Sequence, residues 1–316
     1  MMEQLKKQKV SNSYRRNQLL FIWGWLAIPI IAWAIFYWYV NFSSFVGAFQ
    51  NQAGEWSMES FAKVWESIFY PPAGRDGNNT LAVAFLNTSR YFGLNIFVQY
   101  PIQIFVCYFL YKRIFGYKVF RYVFYFPAII SGVVLIGVFK AFIEAPRGPI
   151  AQAIQMIDPS FVMPSAFNST EQINNTLMIY LVWTCACGNM LLLCGAMNRI
   201  PIEVLEAARL DGIGPWREVI NLVLPLIWPT LSTLLILTCT GFLSASGPLL
   251  LFEVDIYTHK CTTISHWIWM MVYDNKETID QVQNEVCAAG LLLTAVAVPA
   301  VLGIRKLLDL VPQVEY

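Results

Sequence analysis

Six long stretches of the chain carry no charged residue: 19–40, 91–111, 122–139, 176–197, 219–252 and 286–304. A helix needs about 20 apolar residues to cross a bilayer, so the pattern predicts an all-α polytopic protein with six transmembrane helices. The fifth run is too long for one upright helix, and Pro248 after Ser246-Gly247 predicts that this helix stops near Gly241 and continues as an extracytoplasmic turn. Between the first two runs, Trp56, Phe61, Val64, Trp65, Ile68 and Phe69 recur as one face of a helix, with Glu59 and Lys63 four apart as a candidate ion pair. That spacing predicts an interfacial helix. Residues 264–273, ISHWIWMMVY, are apolar but too short to span, which predicts a segment lying on the outer surface or docked into the bundle.

The first run follows Lys6, Lys7, Lys9, Arg15 and Arg16, as the core of a signal peptide would. Its length exceeds the roughly 7–15 residues of such a core and no small-x-small cleavage site follows, so it reads as an uncleaved first span. Cytoplasmic ends of spans carry the excess of Lys and Arg. With the N-terminus inside, the inner segments hold fourteen such residues and the outer ones seven, which predicts N-in, C-in.

Composition agrees with a membrane protein. Of 316 residues 57% are hydrophobic and 13% charged, against about 45–50% and about 25% in soluble domains. A net charge of +1 carries no nucleic-acid signature. The seven cysteines show no disulfide framework. Cys107, Cys185, Cys187, Cys194 and Cys239 lie in apolar runs as small hydrophobes, while Cys261 and Cys287 fall where a pairing outside the membrane is open. Cys185-Ala-Cys187 lacks a second ligand pair, and His259 and His266 are not spaced as an i, i+4 metal pair.

One stretch concentrates charge: residues 200–225, IPIEVLEAARLDGIGPWREVINLVLP. Pro201 suits a first helical turn, and Glu203 and Glu206 follow where the helix dipole favours acids. Asp211-Gly212 signals a turn with Gly212 free to take positive φ, and Pro215 can open a second short helix carrying Trp216 and Arg217. The product is a helix-turn-helix facing the cytoplasm. A solvated loop kept out of lipid by its charges is the plainer alternative.

The spacing Glu206-Ala207-Ala208, Gly212, Leu222-x-Leu224-Pro225 resembles the EAA signature of ABC importer permeases, with Leu222 where the family form has Ile. Arg15-Arg16, the segment WSMESFAKVW, Asn87-Thr88 and FRYVFYFPAIISGVV extend the resemblance over nearly the whole chain, toward the sugar permeases related to the larger maltose permease subunit. SASGPLLLF stands where many of them have a Gly-Gly-Pro turn. The resemblance implies a type I permease fold, with residues 1–80 forming the tail, first span and exported loop, and 81–310 a permease domain whose coupling helix lies at 201–217. It implies that Glu206, Ala207, Ala208, Arg209, Asp211, Gly212, Leu224 and Pro225 serve coupling to a cytoplasmic ATPase. Glu206 would be the anchor, the alanines would allow close packing, and Gly212 would supply the bend. It further implies a second homologous permease subunit, two ATPase subunits, an extracytoplasmic solute-binding protein and residence in a bacterial cytoplasmic membrane.

No Gly-x4-Gly-Lys-Ser/Thr loop occurs in the chain, so ATP and Mg belong to the partner and no cofactor is expected here. No Asp, Glu, Lys or Arg lies in the core of a run, which disfavours a proton-coupled secondary transporter. An intramembrane enzyme would need a convergent nucleophile and base, which the pattern lacks. An uncharged polar solute fits, and Gln99, Gln103, Trp183, Asn189, Thr238 and Thr240 are candidates to line its route. Amides and hydroxyls also bond between helices, and aromatics also form interfacial belts. A sugar is the expected cargo, with glycerol phosphate or another small solute as the alternative within the same class.

Overall fold

A computed structural model describes residues 2–51, 53–70, 80–143, 148–158, 160, 169–185, 188–244, 248–252, 260–274 and 279–311; the side chains of 2–13, 209, 274 and 279–281 lie outside the description. Among the described residues every regular element is a helix, with one isolated antiparallel bridge, Gln50 to Trp56. In order they are α1 (Met2–Trp33), α2 (Val40–Ala48), α3 (Glu59–Ser67), α4 (Leu81–Leu94), α5 (Tyr100–Tyr111), α6 (Tyr117–Ile129), α7 (Gly132–Ile143), α8 (Pro149–Gln155), α9 (Thr170–Trp183), α10 (Met190–Met197), α11 (Ile202–Leu210), α12 (Pro215–Glu218), α13 (Leu224–Thr240), α14 (Leu249–Phe252), α15 (Ile264–Asp274) and α16 (Ile279–Leu308).

Among the described residues four continuous helices are long and apolar enough to cross a membrane: Tyr14–Ala48, Leu81–Tyr111, Pro215–Thr240 and Val282–Leu308. Three of them contain a π-helical turn, at Ala34–Tyr39, Asn95–Gln99 and Val219–Val223. Two of these turns precede prolines, Pro101 and Pro225, and hold the carbonyls, of Phe97 and Asn221, that a proline cannot bond from four residues on. The fifth apolar run ends its helix at Thr240 with Gly241 as the cap, where the turn signals placed it.

The third and fourth runs are not single rods. α6 and α7 meet at a bend of 110°, so they form one broken span or a re-entrant pair. Pro127 removes a helical donor, Ile130 is extended at φ −77°, ψ 142°, and Ser131 Oγ accepts from Val134 N at 3.5 Å to start the next helix. The fourth run divides into α9, of 14 residues, and α10, of 8, each too short to span alone. Thr184 closes α9 by folding its hydroxyl onto the Tyr180 carbonyl at 3.0 Å. Among the described residues the six apolar runs thus yield four helices long and apolar enough to span, or five when the bent pair counts as one.

The chain divides into two compact units. The first comprises Met1–Val64 and Asn275–Leu291. The turn after α2 is organised by Asn51, whose Oδ1 accepts from Ala53 N at 3.0 Å and Glu55 N at 2.9 Å. Asn284 Nδ2 donates to the Asn51 carbonyl at 3.0 Å. Lys63 meets both Glu59 and Glu285 at 3.1 Å, so the expected i, i+4 pair is part of a triad. The two glutamates raise the Lys63 amine above its ordinary 10.5, the hydrogen bond it donates to Glu59 being the largest cause.

The second unit comprises Trp65–Asp274 and Leu292–Tyr316. Its larger core packs α5 against α10 and α13, with Cys107, Met190, Leu193, Met197 and Val223 fully enclosed. A second core joins Leu135, Ile136 and Phe139 of α7 to Ile173, Leu177 and Tyr180 of α9 and to Phe252 of α14. α15 docks rather than lying on the surface: Ile264, His266 and Trp267 are fully buried. Asn87 and Thr88 of α4 hold it there. Asn87 Nδ2 donates to the Lys260 and Thr262 carbonyls, both at 3.0 Å, and Thr88 Oγ1 accepts from Ile264 N at 3.0 Å, satisfying main-chain groups at the start of a buried helix. His266 Nδ1 lies 3.1 Å from Thr262 Oγ1. His259 and Cys187 lie outside the described residues, and among those described neither Cys261 nor Cys287 is in a disulfide.

Candidate functional site

The charged stretch folds as two short helices around a turn. α11 ends at Leu210 and Gly212 takes φ +70°. Ile213 N donates to the Ala208 carbonyl at 3.1 Å, a six-to-one bond that closes the helix as a Schellman cap. An added Cβ at Gly212 would meet nothing within 4 Å, so glycine is needed there for its backbone angle and not for space. Pro215 then opens α12, and Glu218 N bonds the Gly214 carbonyl at 2.9 Å.

The two faces of α11 differ. Leu205 turns into the larger core and Ala208 (5% exposed) is buried, whereas Ile202, Glu203, Glu206, Ala207 and Leu210 (90% exposed) form an outer face. The two alanines therefore part: Ala207 is open and Ala208 packs on its own chain. Asp211 is exposed, and the side chain of Arg209 lies outside the described residues. Leu224 packs against the core from the first turn of α13, with Pro225 following it. An outer face that mixes two acids with bare Ile202 and Leu210 is both polar and apolar in character.

The candidate solute-lining residues do not form one set. Gln99 Nε2 donates to the Leu181 carbonyl at 2.8 Å, Gln103 Nε2 to that of Cys185 at 2.6 Å, and Cys107 Sγ to that of Met190 at 3.6 Å. These donors recur every four residues on α5 and serve the main chain on either side of the α9–α10 break. At membrane depth a broken helix persists only where other groups satisfy its backbone. Asn189 Nδ2 donates to Tyr100 Oη at 3.3 Å, and Tyr100 Oη lies 2.6 Å from Thr238 Oγ1. Gln99, Gln103, Asn189 and Thr238 are thus gathered along one uncharged strip between α5, the break and α13. Gln103 Oε1 is buried there and accepts no bond among the described residues. Trp183 packs on Phe139 and Tyr180, and Thr240 bonds back to the Leu237 carbonyl at 2.8 Å; neither joins the strip.

Two contacts tie the elbow to α5. Lys112 Nζ lies 2.5 Å from Glu218 Oε1, and the Trp216 ring meets the edge of Phe105 with centroids 4.9 Å apart. Neither contact is readable from sequence, because each joins residues far apart along the chain. An acid among the last residues before a span was the one available signal.

The same fold occurs in a chain of a bacterial ABC transporter. A solved structure of a bacterial alginate ABC transporter in complex with an alginate pentasaccharide-bound periplasmic protein contains a chain that matches with a TM-score of 0.75 at 19% identity, over 93% of this chain and 94% of that one. By sequence the chain is similar to sugar-transport permeases. The multiple sugar-binding transport system permease protein MsmF of Streptococcus mutans is 24% identical over 241 residues, 75% of this chain and 77% of the relative. The arabinooligosaccharides transport system permease protein AraP of Bacillus subtilis is 24% identical over 166 residues, about half (52%) of each chain. No family model matches the chain.

Proposed function

We propose that the chain is the membrane permease subunit of an ATP-driven importer, a transport protein and not an enzyme, that passes a sugar or oligosaccharide delivered by an extracytoplasmic binding protein. The observation that carries this reading is the elbow. Its outer face, Glu203, Glu206, Ala207 and Leu210, is bare, while Leu205 and Val219 anchor it in the span core. A surface so exposed and so firmly rooted suits a lever on which a cytoplasmic ATPase acts. Closure of two ATPase subunits on paired elbows would rock the spans between inward-open and outward-open states.

In this reading the N- and C-termini face the cytoplasm, the broken third and fourth runs complete six crossings of a bacterial cytoplasmic membrane, and a homologous permease is the second subunit. Glu206 and Ala207 make the ATPase contact, Gly212 sets its bend, and Asp211, Leu224 and Pro225 frame it. ATP and Mg are held by the ATPase. The uncharged strip around Gln103 and Asn189 borders the solute route, and its lack of ionisable groups fits a neutral cargo. Kinship with the sugar permeases supports the choice of sugar over glycerol phosphate.

The test is reconstitution in proteoliposomes with a sister permease, an ATPase and candidate binding proteins. Solute-loaded binding protein should stimulate ATP hydrolysis together with uptake of labelled oligosaccharide, and the purified chain alone should neither hydrolyse nor retain ATP. Hydrolysis by the chain alone would overturn the assignment.

A further inference from the structure

Glu218 is 4% exposed, and Lys112, capping α5, is largely buried against it. Removing two charges from water costs several kcal/mol per ion, and their attraction repays this only with close geometry. Such a pair is a poor source of stability, and its best-attested use is to fix one element in register against another. Here it fixes the end of α12, the last rung before the Val219–Val223 π turn, to the last rung of α5.

The surrounding contacts point the same way. The Lys112 ammonium also lies 5.5 Å from the centroid of the Tyr108 ring, and Trp216 of α12 rests on Phe105. Phe105, Tyr108 and Lys112 recur at helical spacing, so α12 is clamped along one stripe of α5 by ring and charge together. The same helix carries Gln103 and Cys107, which hold the α9–α10 break open at its carbonyls. α5 therefore runs from the elbow to the polar strip with directional contacts at both ends.

We infer that the Lys112–Glu218 pair is the latch through which displacement of the elbow is passed to α5 and so to the polar strip; this rests on the permease reading above. Both are positioning residues that touch neither nucleotide nor solute. The latch makes the second half of the elbow, and not the EAA helix alone, a transmitting element.

The experiment uses the complete reconstituted complex with Glu218→Gln, Lys112→Met and the charge-swapped pair Lys112→Glu/Glu218→Lys. The single variants should assemble with the ATPase and keep solute-independent ATP hydrolysis, while solute carried per ATP falls about fivefold to tenfold. The swapped pair should recover at least half of the loss, a recovery that a purely packing role would not give. Wild-type transport per ATP in the single variants overturns the latch, as does a deficit that the swap fails to restore. If the single variants do not accumulate in the membrane, the swap alone decides, with near-wild-type coupling supporting the latch and weak coupling overturning it. A wild-type complex in which ATP hydrolysis and uptake are unlinked would instead remove the permease reading, and the latch with it.

Discussion

Gln103 donates its side-chain N–H to the main-chain carbonyl of Cys185 at 2.6 Å, and the next donor up the helix, Gln99, serves Leu181 at 2.8 Å. Two amides that look like solute ligands in the sequence are thereby occupied with holding a broken helix together. Replacing Gln103 by Met keeps the bulk and removes the donor. Leaving one buried carbonyl unsatisfied costs about 1–3 kcal/mol, so the variant should melt at a lower temperature in detergent. An unchanged melting temperature with weakened solute affinity would show that Gln103 acts on the solute instead.

Gly212 sits at φ +70° with open space around the place of a Cβ. A β-branched side chain there costs roughly 1–2 kcal/mol through the backbone alone. Gly212→Val should insert normally yet lose solute-stimulated ATP hydrolysis, and Gly212→Asn, which tolerates this region, should retain most of it. Equal activity in both variants would count against the cap.

The parting of the two alanines sets up a labelling contrast. In a background lacking the native cysteines, Ala207→Cys and Leu210→Cys should react quickly with an impermeant maleimide in inside-out vesicles and not in intact cells. Ala208→Cys, on the buried face, should react slowly from either side. Labelling of Ala207→Cys from the exterior would reverse the proposed orientation.

Lys63 lies between Glu59 and Glu285, and its raised pKa fixes the sign of a pH effect. Its folded value lies above 10.5, so the stabilisation is complete below that pH and is lost only as pH rises through the raised value. With Lys63 and Glu59 42% and 57% exposed, solvent screens the pair and the contribution stays below about 1 kcal/mol. Limited proteolysis of the segment around Lys63 should therefore proceed at one rate from neutral pH to about 10, and Lys63→Met should raise that rate by about twofold to fivefold. A rise in cleavage already near neutral pH in the unmodified chain would contradict the triad.

The elbow was legible in the sequence because its determinants are local: Pro201, Gly212 and Pro215 each fix their own backbone, and the turn follows from them. The break at Thr184–Asn189 was not. No proline or charge marks it, Gly188-Asn189 is its one local turn signal, and the groups that make it tolerable, Gln99 and Gln103, sit on another helix. The bend at Ile130 had a visible cause in Pro127 and Ser131-Gly132, but the apolar pattern runs straight across it. The choice between surface and docked positions for α15 was settled by Asn87 and Thr88, residues of another helix that no reading of 264–273 alone could bring in.

Pro101 and Pro225 give the spanning helices a property that uniform apolar rods lack. At each, one carbonyl is already without its helical donor, so flexing at that rung forfeits no bond that existed before. Bending compliance is thus placed beside the polar strip and just above the elbow, and the same loss of a donor recurs at Pro29, Pro229 and Pro299 of the spanning helices.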